Sequence, residues 1–244
     1  MIQQHALQNK VAIVTGSSRG IGRSIALMLA GYGAKVTLAA RDPVKLEALQ
    51  QDIKALGQET LCVPTDMSLE GDIFNLISQT IKTFGRLDIV INNASLGNYD
   101  RVEKTSTESW DKLLDVNARG PFILCREAIP YLRHQKRSFI INIASVVGVR
   151  GYANQAAYTA SKHALMGFSK ALAKEVQSDG IRVHVLLPGG VDTDMVSLAR
   201  PDLDKSLLMK PEEIAEWILF LVTRQGNATI DEVLIRREAS VPWG

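Results

Sequence analysis

The chain has 244 residues and a formal net charge of +2, with 46% hydrophobic and 22% charged residues. This length can bury the core of one α/β domain, and the balance excludes an intrinsically disordered chain. So small a net charge offers no footprint for nucleic acid or an anionic membrane, and no apolar run approaches the ~20 residues of a bilayer span.

The N-terminus, Met1-Ile2-Gln3-Gln4-His5, has no charged start leading into an apolar stretch, so no secretory leader is expected. Residues 11–15 have the continuous apolar character of a strand buried on both faces. Glycine punctuation follows, then Ile21, Ile25, Met28 and Leu29 at helical spacing. Residues 36–39 read as a second strand, and Val44, Leu46, Leu49, Ile53 and Leu56 as a helical stripe that Gly57 ends. A third strand near 60–63, a helix over 69–84 and a fourth strand over 87–91 come next.

Helical pattern spans 107–133, interrupted at Gly120-Pro121, where proline can open a new helix. The basic stretch Arg133-His134-Gln135-Lys136-Arg137 reads as a solvated helix end facing the negative end of the dipole. A fifth strand over 139–143, an alanine-rich helix over 156–177, a sixth strand over 181–187, a helix over 212–223 and a strand over 229–235 complete the alternation. Apolar strands alternating with amphipathic helices predict an α/β fold, a doubly wound parallel sheet in a single domain over 1–244. Cys62 and Cys125, far apart in apolar segments, read as buried thiols of a reducing compartment, so the expected location is cytoplasmic.

In such sheets the chemistry belongs to the loops at the carboxyl ends of the strands. The first strand ends in Thr15-Gly16-Ser17-Ser18-Arg19-Gly20-Ile21-Gly22. A turn that approaches a pyrophosphate needs bare backbone at Gly16 and Gly20, and the helix beyond it aims free N–H groups at the phosphates. Glycine clusters also serve tight turns and packing; the place between first strand and first helix favours phosphate binding. About twenty residues on, a carboxylate marks NAD and an arginine NADP. Here stand Ala40 and Arg41, and Arg19 in the turn supplies a second guanidinium, so NADP is favoured. Asp42 keeps NAD open, because a one-residue shift would present it to a ribose hydroxyl; it equally suits a helix cap before Pro43.

Tyr158 and Lys162 lie one helical turn apart in the alanine-rich helix and can share one site. A phenol with a pKa near ~10 exchanges protons poorly at neutral pH, and an adjacent ammonium would favour its ionised form. Tyr158 is then a candidate general acid or base, with Ser145 after the fifth strand as its neighbour. Alone, such a pair is commonplace on an amphipathic helix. His163 and His184 have no acids at ligand spacing, so structural roles are expected and no metal.

Thr15-Gly16-x-x-x-Gly20-x-Gly22, Asn92-Asn93-Ala94, Asn117, Ser145, Tyr158-x-x-x-Lys162 and Pro188-Gly189 occur in that order. Together they resemble the classical short-chain dehydrogenase/reductase family over essentially the whole chain. The resemblance implies a Rossmann fold and hydride transfer between a nicotinamide dinucleotide and a small carbonyl or alcohol substrate, 3-oxoacyl thioesters among the possibilities. It implies that Ser145 holds the substrate oxygen, that Lys162 reaches the nicotinamide ribose and that Asn117 holds a water of the proton relay. It assigns Gly16, Ser18, Arg19, Gly20, Ile21, Gly22 and Arg41 to the phosphates, and Asp66 with Met67 to the adenine, although Asp66 also suits a helix cap. Asn93 and Ala94, with Pro188, Gly189, Val191 and Thr193, are assigned to the cofactor channel, where Thr193 would bond the carboxamide. The family's decisive acid ends the second strand, and Ala40 in its place favours NADP over NAD.

The same resemblance implies a substrate lid at about 195–210 and, from the alanine face of Ala160, Ala164 and Ala171, a homodimer or homotetramer. The sequence departs from the family pattern at Ser95, where glycine is usual, and at Arg236-Arg237, which replace Asp-Gly-Gly. Two other readings stand beside the reductase: a non-catalytic dinucleotide sensor, which need not keep Ser145, Tyr158 and Lys162, and an epimerase or dehydratase of the extended relatives, whose larger C-terminal region has no room here.

Overall fold

The structure is a computed structural model that describes residues 3, 5–199 and 202–242. Its strands are β1 (Val11–Thr15), β2 (Lys35–Ala40), β3 (Thr60–Pro64), β4 (Ile89–Asn92), β5 (Ser138–Ile143), β6 (Ile181–Pro188) and β7 (Glu232–Ile235). They form one sheet in the order β3-β2-β1-β4-β5-β6-β7, and every neighbouring pair is parallel. The helices are α1 (Gly20–Gly31), α2 (Pro43–Ala55), α3 (Glu70–Phe84), α4 (Thr107–Leu114), α5 (Gly120–Leu132), α6 (Ala156–Glu175), α7 (Asp194–Ala199) and α8 (Pro211–Thr223).

Alternate residues of each strand face opposite sides of a sheet, which is why these strands are apolar throughout. Ala12 and Val14 of β1 join Val36, Leu38 and Ile141 against Ile25 and Leu29 of α1, Leu46 and Leu49 of α2 and Ile214 and Ile218 of α8. Val11 and Ile13 join Ala39, Val90 and Ile140 against Ile73 and Leu76 of α3, Leu124 and Ala128 of α5 and Leu172 of α6. The sheet is therefore covered on both faces, as expected for a doubly wound domain.

Local chemistry explains the ends. Asp42 accepts a bond from Lys45 N (3.2 Å) and caps α2, with Pro43 in the first turn. Gly85 closes α3 in the left-handed conformation (φ 72°). At the amino edge of the sheet, buried Asp88 accepts from Lys10 Nζ, Val11 N and Arg86 Nε and Nη2, a tie far from the cleft described below.

Two elements differ from expectation. A new helix does open at Gly120-Pro121, but no loop precedes it: α4 runs through a π-helical turn, Asp115–Arg119, directly into α5. Proline lacks an N–H and interrupts the normal ladder, and the wider turn before it absorbs that loss. Gly120 is needed for packing, because a Cβ there would strike the Met67 carbonyl oxygen. The last strand starts at Glu232, not 229, because Ile230 O is taken up by the His184 ring (Nδ1···O 2.6 Å). Among the described residues no helix is long and apolar enough to cross a membrane.

Candidate active site

The chain turns from β1 outward to β2 and β3, then returns to place β4 on the other side of β1, and this switch point opens a crevice. A cleft of about 1100 Å³ runs along the carboxyl ends of the strands, from Arg41 after β2 to Arg236 after β7. Gly16, Ser18, Arg19, Gly20 and Ile21 line it after β1, Asp66 and Met67 after β3, and Asn93 and Ala94 after β4. Ser145, Tyr158 and Lys162 line its middle, Pro188 lines it at the end of β6, and Gly189, Val191 and Thr193 line it beyond. Gly22 and Asn117 stand behind this wall. Residues 200 and 201 of the expected lid lie outside the described residues, and α7 with Met195, Val196, Ala199 and Leu203 borders the cleft.

The glycines of the turn serve two ends. A Cβ on Gly16 (φ 64°) would lie 2.8 Å from Ala94 Cα, and one on Gly22 would strike Gly16 O, so both permit β1, α1 and the β4 loop to close on one another. Asn93 Nδ2 seals that contact by donating to Thr15 O (2.8 Å) and Gly16 O (3.2 Å). Gly20 (φ 53°) instead faces the cleft, where its missing Cβ would lie 3.1 Å from Thr193 Cγ2.

At the outer end Arg41 is exposed, while the Asp42 carboxylate is engaged as the α2 cap and held below its usual range by the Lys45 N–H. Burial opposes ionisation of Asp66, but bonds from Ser68 N (2.9 Å) and Ser68 Oγ (2.7 Å) and the charges of Lys112 and Arg41 hold its carboxyl below the ordinary range. The Asp66 side chain thus closes a local turn onto Ser68, and the N-cap of α3 is Leu69, so Asp66 is not the expected helix cap. Arg19 donates to Asp194 at the start of α7 (2.7 Å), an exposed pair across the cleft mouth.

Tyr158 and Lys162 are buried on the cleft side of α6. Lys162 Nζ donates to Ile143 O (2.9 Å) and lies 5.9 Å from the Tyr158 ring centre. Burial lowers its ammonium to about 7. The same burial raises the Tyr158 phenol, against hydroxyl bonds from Ser145 and Ser95 that pull it down. The expected lowering of the phenol by its neighbour is therefore absent in the protein by itself: a desolvated amine that sheds its proton near neutrality is a weak source of positive charge. Ser145 accepts from Val147 N (3.3 Å) and donates to Pro188 O (3.4 Å), which ties the β5 and β6 loops together.

Asn117 sits in the π-helical turn, fully buried. Its Oδ1 accepts from Leu96 N (2.8 Å) and Ser95 Oγ (3.1 Å), and its Nδ2 donates to Leu96 O (2.9 Å) and Ser161 Oγ (3.0 Å). Ser95, singled out in the sequence only as a departure, thus bonds Asn117 and lines the same cleft as the phenol. Tyr99 went unmarked by any motif; its ring stands edge-on to Tyr158, centres 6.5 Å apart, and its own phenol is raised by burial. His163 Nδ1 meets Thr159 O, so both flagged histidines bond backbone carbonyls.

The short chain dehydrogenase family model matches residues 10–204. An uncharacterized oxidoreductase of Staphylococcus aureus is 34% identical over 231 residues, 94% of this chain and 98% of its own. The 3-oxoacyl-[acyl-carrier-protein] reductase of Staphylococcus epidermidis is 36% identical over 82% of each chain. Among solved structures, a metagenomic short-chain oxidoreductase in complex with NADP is 35% identical with a TM-score of 0.84, covering 95% of this chain and 99% of its own. An alcohol dehydrogenase from the archaeon Thermococcus sibiricus, complexed with 5-hydroxy-NADP, is 28% identical with a TM-score of 0.88, covering 96% and 98%. With its fold, its cleft and these relatives in agreement, the chain belongs to the short chain dehydrogenase family and is an oxidoreductase of that family.

Proposed function

We propose that the protein is an NADP(H)-dependent carbonyl reductase or alcohol dehydrogenase acting on small molecules, with Tyr158 as its general acid and base. The observation that carries this reading is the shared cleft: a buried phenol, a buried amine and two serine hydroxyls stand in one cavity with the glycine turn. A dinucleotide fits the residues present. Gly20 leaves open backbone toward the cleft, and Lys162 Nζ makes a single bond to protein, which leaves donors for ribose hydroxyls. Ser18, Arg19 and Ile21 would hold the phosphates, Arg41 a 2′-phosphate, and Val191 and Thr193 the nicotinamide end. When bound, the coenzyme supplies the hydride and leaves oxidised, so the carbonyl carbon gains two electrons and its oxygen takes one proton from Tyr158 Oη.

Ser145 orients the substrate oxygen toward that phenol, and Lys162 keeps positive potential beside it once the site is filled. A sensor would have no use for these proton-transfer groups. A homodimer or homotetramer is supported by Phe122 of α5, which is 44% exposed yet paired edge-on with Phe168 of α6, an apolar face suited to a second copy.

A panel of ketones and aldehydes, read at the absorbance band of reduced nicotinamide with each coenzyme, tests the reading. Turnover with NADPH preferred is expected, and Arg41→Ala should weaken NADPH by about 10-fold or more while moving NADH little. No consumption of either coenzyme across the panel would overturn it; equal loss for both would return the choice to NAD.

Ser95 adds a finer expectation. Glycine there removes a hydroxyl that favours the ionised phenol, so the pH profile of alcohol oxidation in Ser95→Gly should move to higher pH. Ser95→Thr should restore the profile, and superimposable profiles for wild type and Ser95→Gly would exclude this role.

A further inference from the structure

The residues behind β7 close one end of the cleft. Arg236, where the family resemblance led to an acid followed by glycines, folds its guanidinium into its own loop: Nη1 donates to the carbonyls of Arg237 (3.1 Å), Glu238 (3.1 Å) and Ser240 (2.9 Å). That hook curls the tail back, so that Arg237, Ser240, Val241 and Pro242 line the cleft. Arg237 is half-buried, and a Cβ on Gly190 would lie 3.1 Å from its Cδ and 3.3 Å from its Nε. Its stem therefore rests on the loop whose Pro188 carbonyl takes the Ser145 hydroxyl bond. None of the described ion pairs, such as Arg19–Asp194 and Lys170–Glu232, involves Arg237 or Arg150, another arginine of the cleft lining.

Position separates this charge from the coenzyme phosphates. At ~4.8 Å per strand, β7 stands about 19 Å from β1 and about 24 Å from β2, whose loops carry the glycine turn and Arg41. It is only about 10 Å from β5, which ends beside Ser145. A guanidinium partly withdrawn from water, on a cleft wall, favours an anion within its reach.

We infer that Arg237, assisted by Arg150, binds an anionic group of the substrate, so that the protein acts on carbonyl compounds bearing a carboxylate or phosphate a few bonds from the reacting carbon. The inference rests on the oxidoreductase reading and narrows its substrate class. The end of the cleft lined by α7 and the tail would then select by charge.

Three substrates of matched length test it with NADPH: 4-oxopentanoate, its methyl ester and 3-oxobutylphosphonate. Both anions should exceed the ester in kcat/KM by about 10-fold or more, and the better of the two names the headgroup. Arg237→Gln should collapse that ratio, Arg237→Lys should retain part of it, and raised salt should compress it. Binding of pentanoate to the NADP⁺-loaded protein, followed by calorimetry, reads the anion site without any turnover; Arg237→Gln should weaken it about 10-fold. An ester that matches the anions, or pentanoate affinity indifferent to Arg237, overturns the inference even if ketones are reduced well. Pentanoate binding that depends on Arg237 with no carbonyl turnover would uphold the anion site and defeat the oxidoreductase reading instead.

Discussion

Replacing Tyr158 by phenylalanine is expected to lower kcat/KM for carbonyl reduction by about 10²–10⁴-fold, roughly 3–5 kcal/mol of transition-state stabilisation. The change removes one oxygen and keeps the ring, which is 8% exposed and packed with Leu113, Val147 and Ala157. The edge-on contact with Tyr99 survives as well, so the fold has no reason to yield. Melting temperature and coenzyme affinity should stay near wild type, and the loss should fall on kcat. Because burial holds the phenol protonated, reduction in the wild type should run evenly across neutral pH, whereas alcohol oxidation, which needs the phenolate, should rise with pH. Steady-state kinetics in both directions, with a melt of each protein, provide the check. Full turnover in Tyr158→Phe would move the proton donor elsewhere.

Lys162→Met should have the opposite effects on function and stability. Turnover is expected to fall by about 10²-fold or more, since the positive potential beside the phenol is lost. The ligand-free protein should nonetheless gain about 1–4 kcal/mol, or roughly 2–10 °C, because a desolvated amine is replaced by an apolar chain of similar length. One bond, to Ile143 O, is given up in exchange.

The pH dependence has a definite sign. Burial lowers the folded-state pKa of Lys162 to about 7 from 10.5, so between those values the unfolded chain holds a proton that the native state has released. Wild-type stability then falls as pH drops from 10.5 towards 7, and levels off below. The advantage of Lys162→Met should therefore be full at pH 6 and small near pH 10. Urea melts of both proteins across that range measure it, and an advantage that does not change with pH would contradict the buried, depressed amine.

Much of this was readable along the chain. The apolar strands report a sheet covered on both faces because each of β1, β2 and β5 must satisfy two helical layers. Short-range chemistry was equally legible: Asp42 before Pro43 forms the α2 cap within four residues. The π-helical turn was not, although Pro121 follows it: its place in the fold, with Gly120 against the Met67 carbonyl, joins segments distant in sequence. Nor was the direction of the Tyr158 and Lys162 shifts, because desolvation depends on what surrounds a group and not on its neighbours in sequence. Arg19 belonged to the phosphate site by motif, yet its partner Asp194 lies 175 residues away.

The order of residues alone determined the architecture, the glycine turn and the phenol–amine pair, because periodicity, turn chemistry and helical spacing act over a few residues. The folded molecule decided what each polar group faces: Asp66 toward Ser68, Ser95 toward Asn117, and Arg237 toward the Gly190 loop of the cleft wall. Electrostatic partners and burial are set by the packing of remote segments, and only three dimensions contain them.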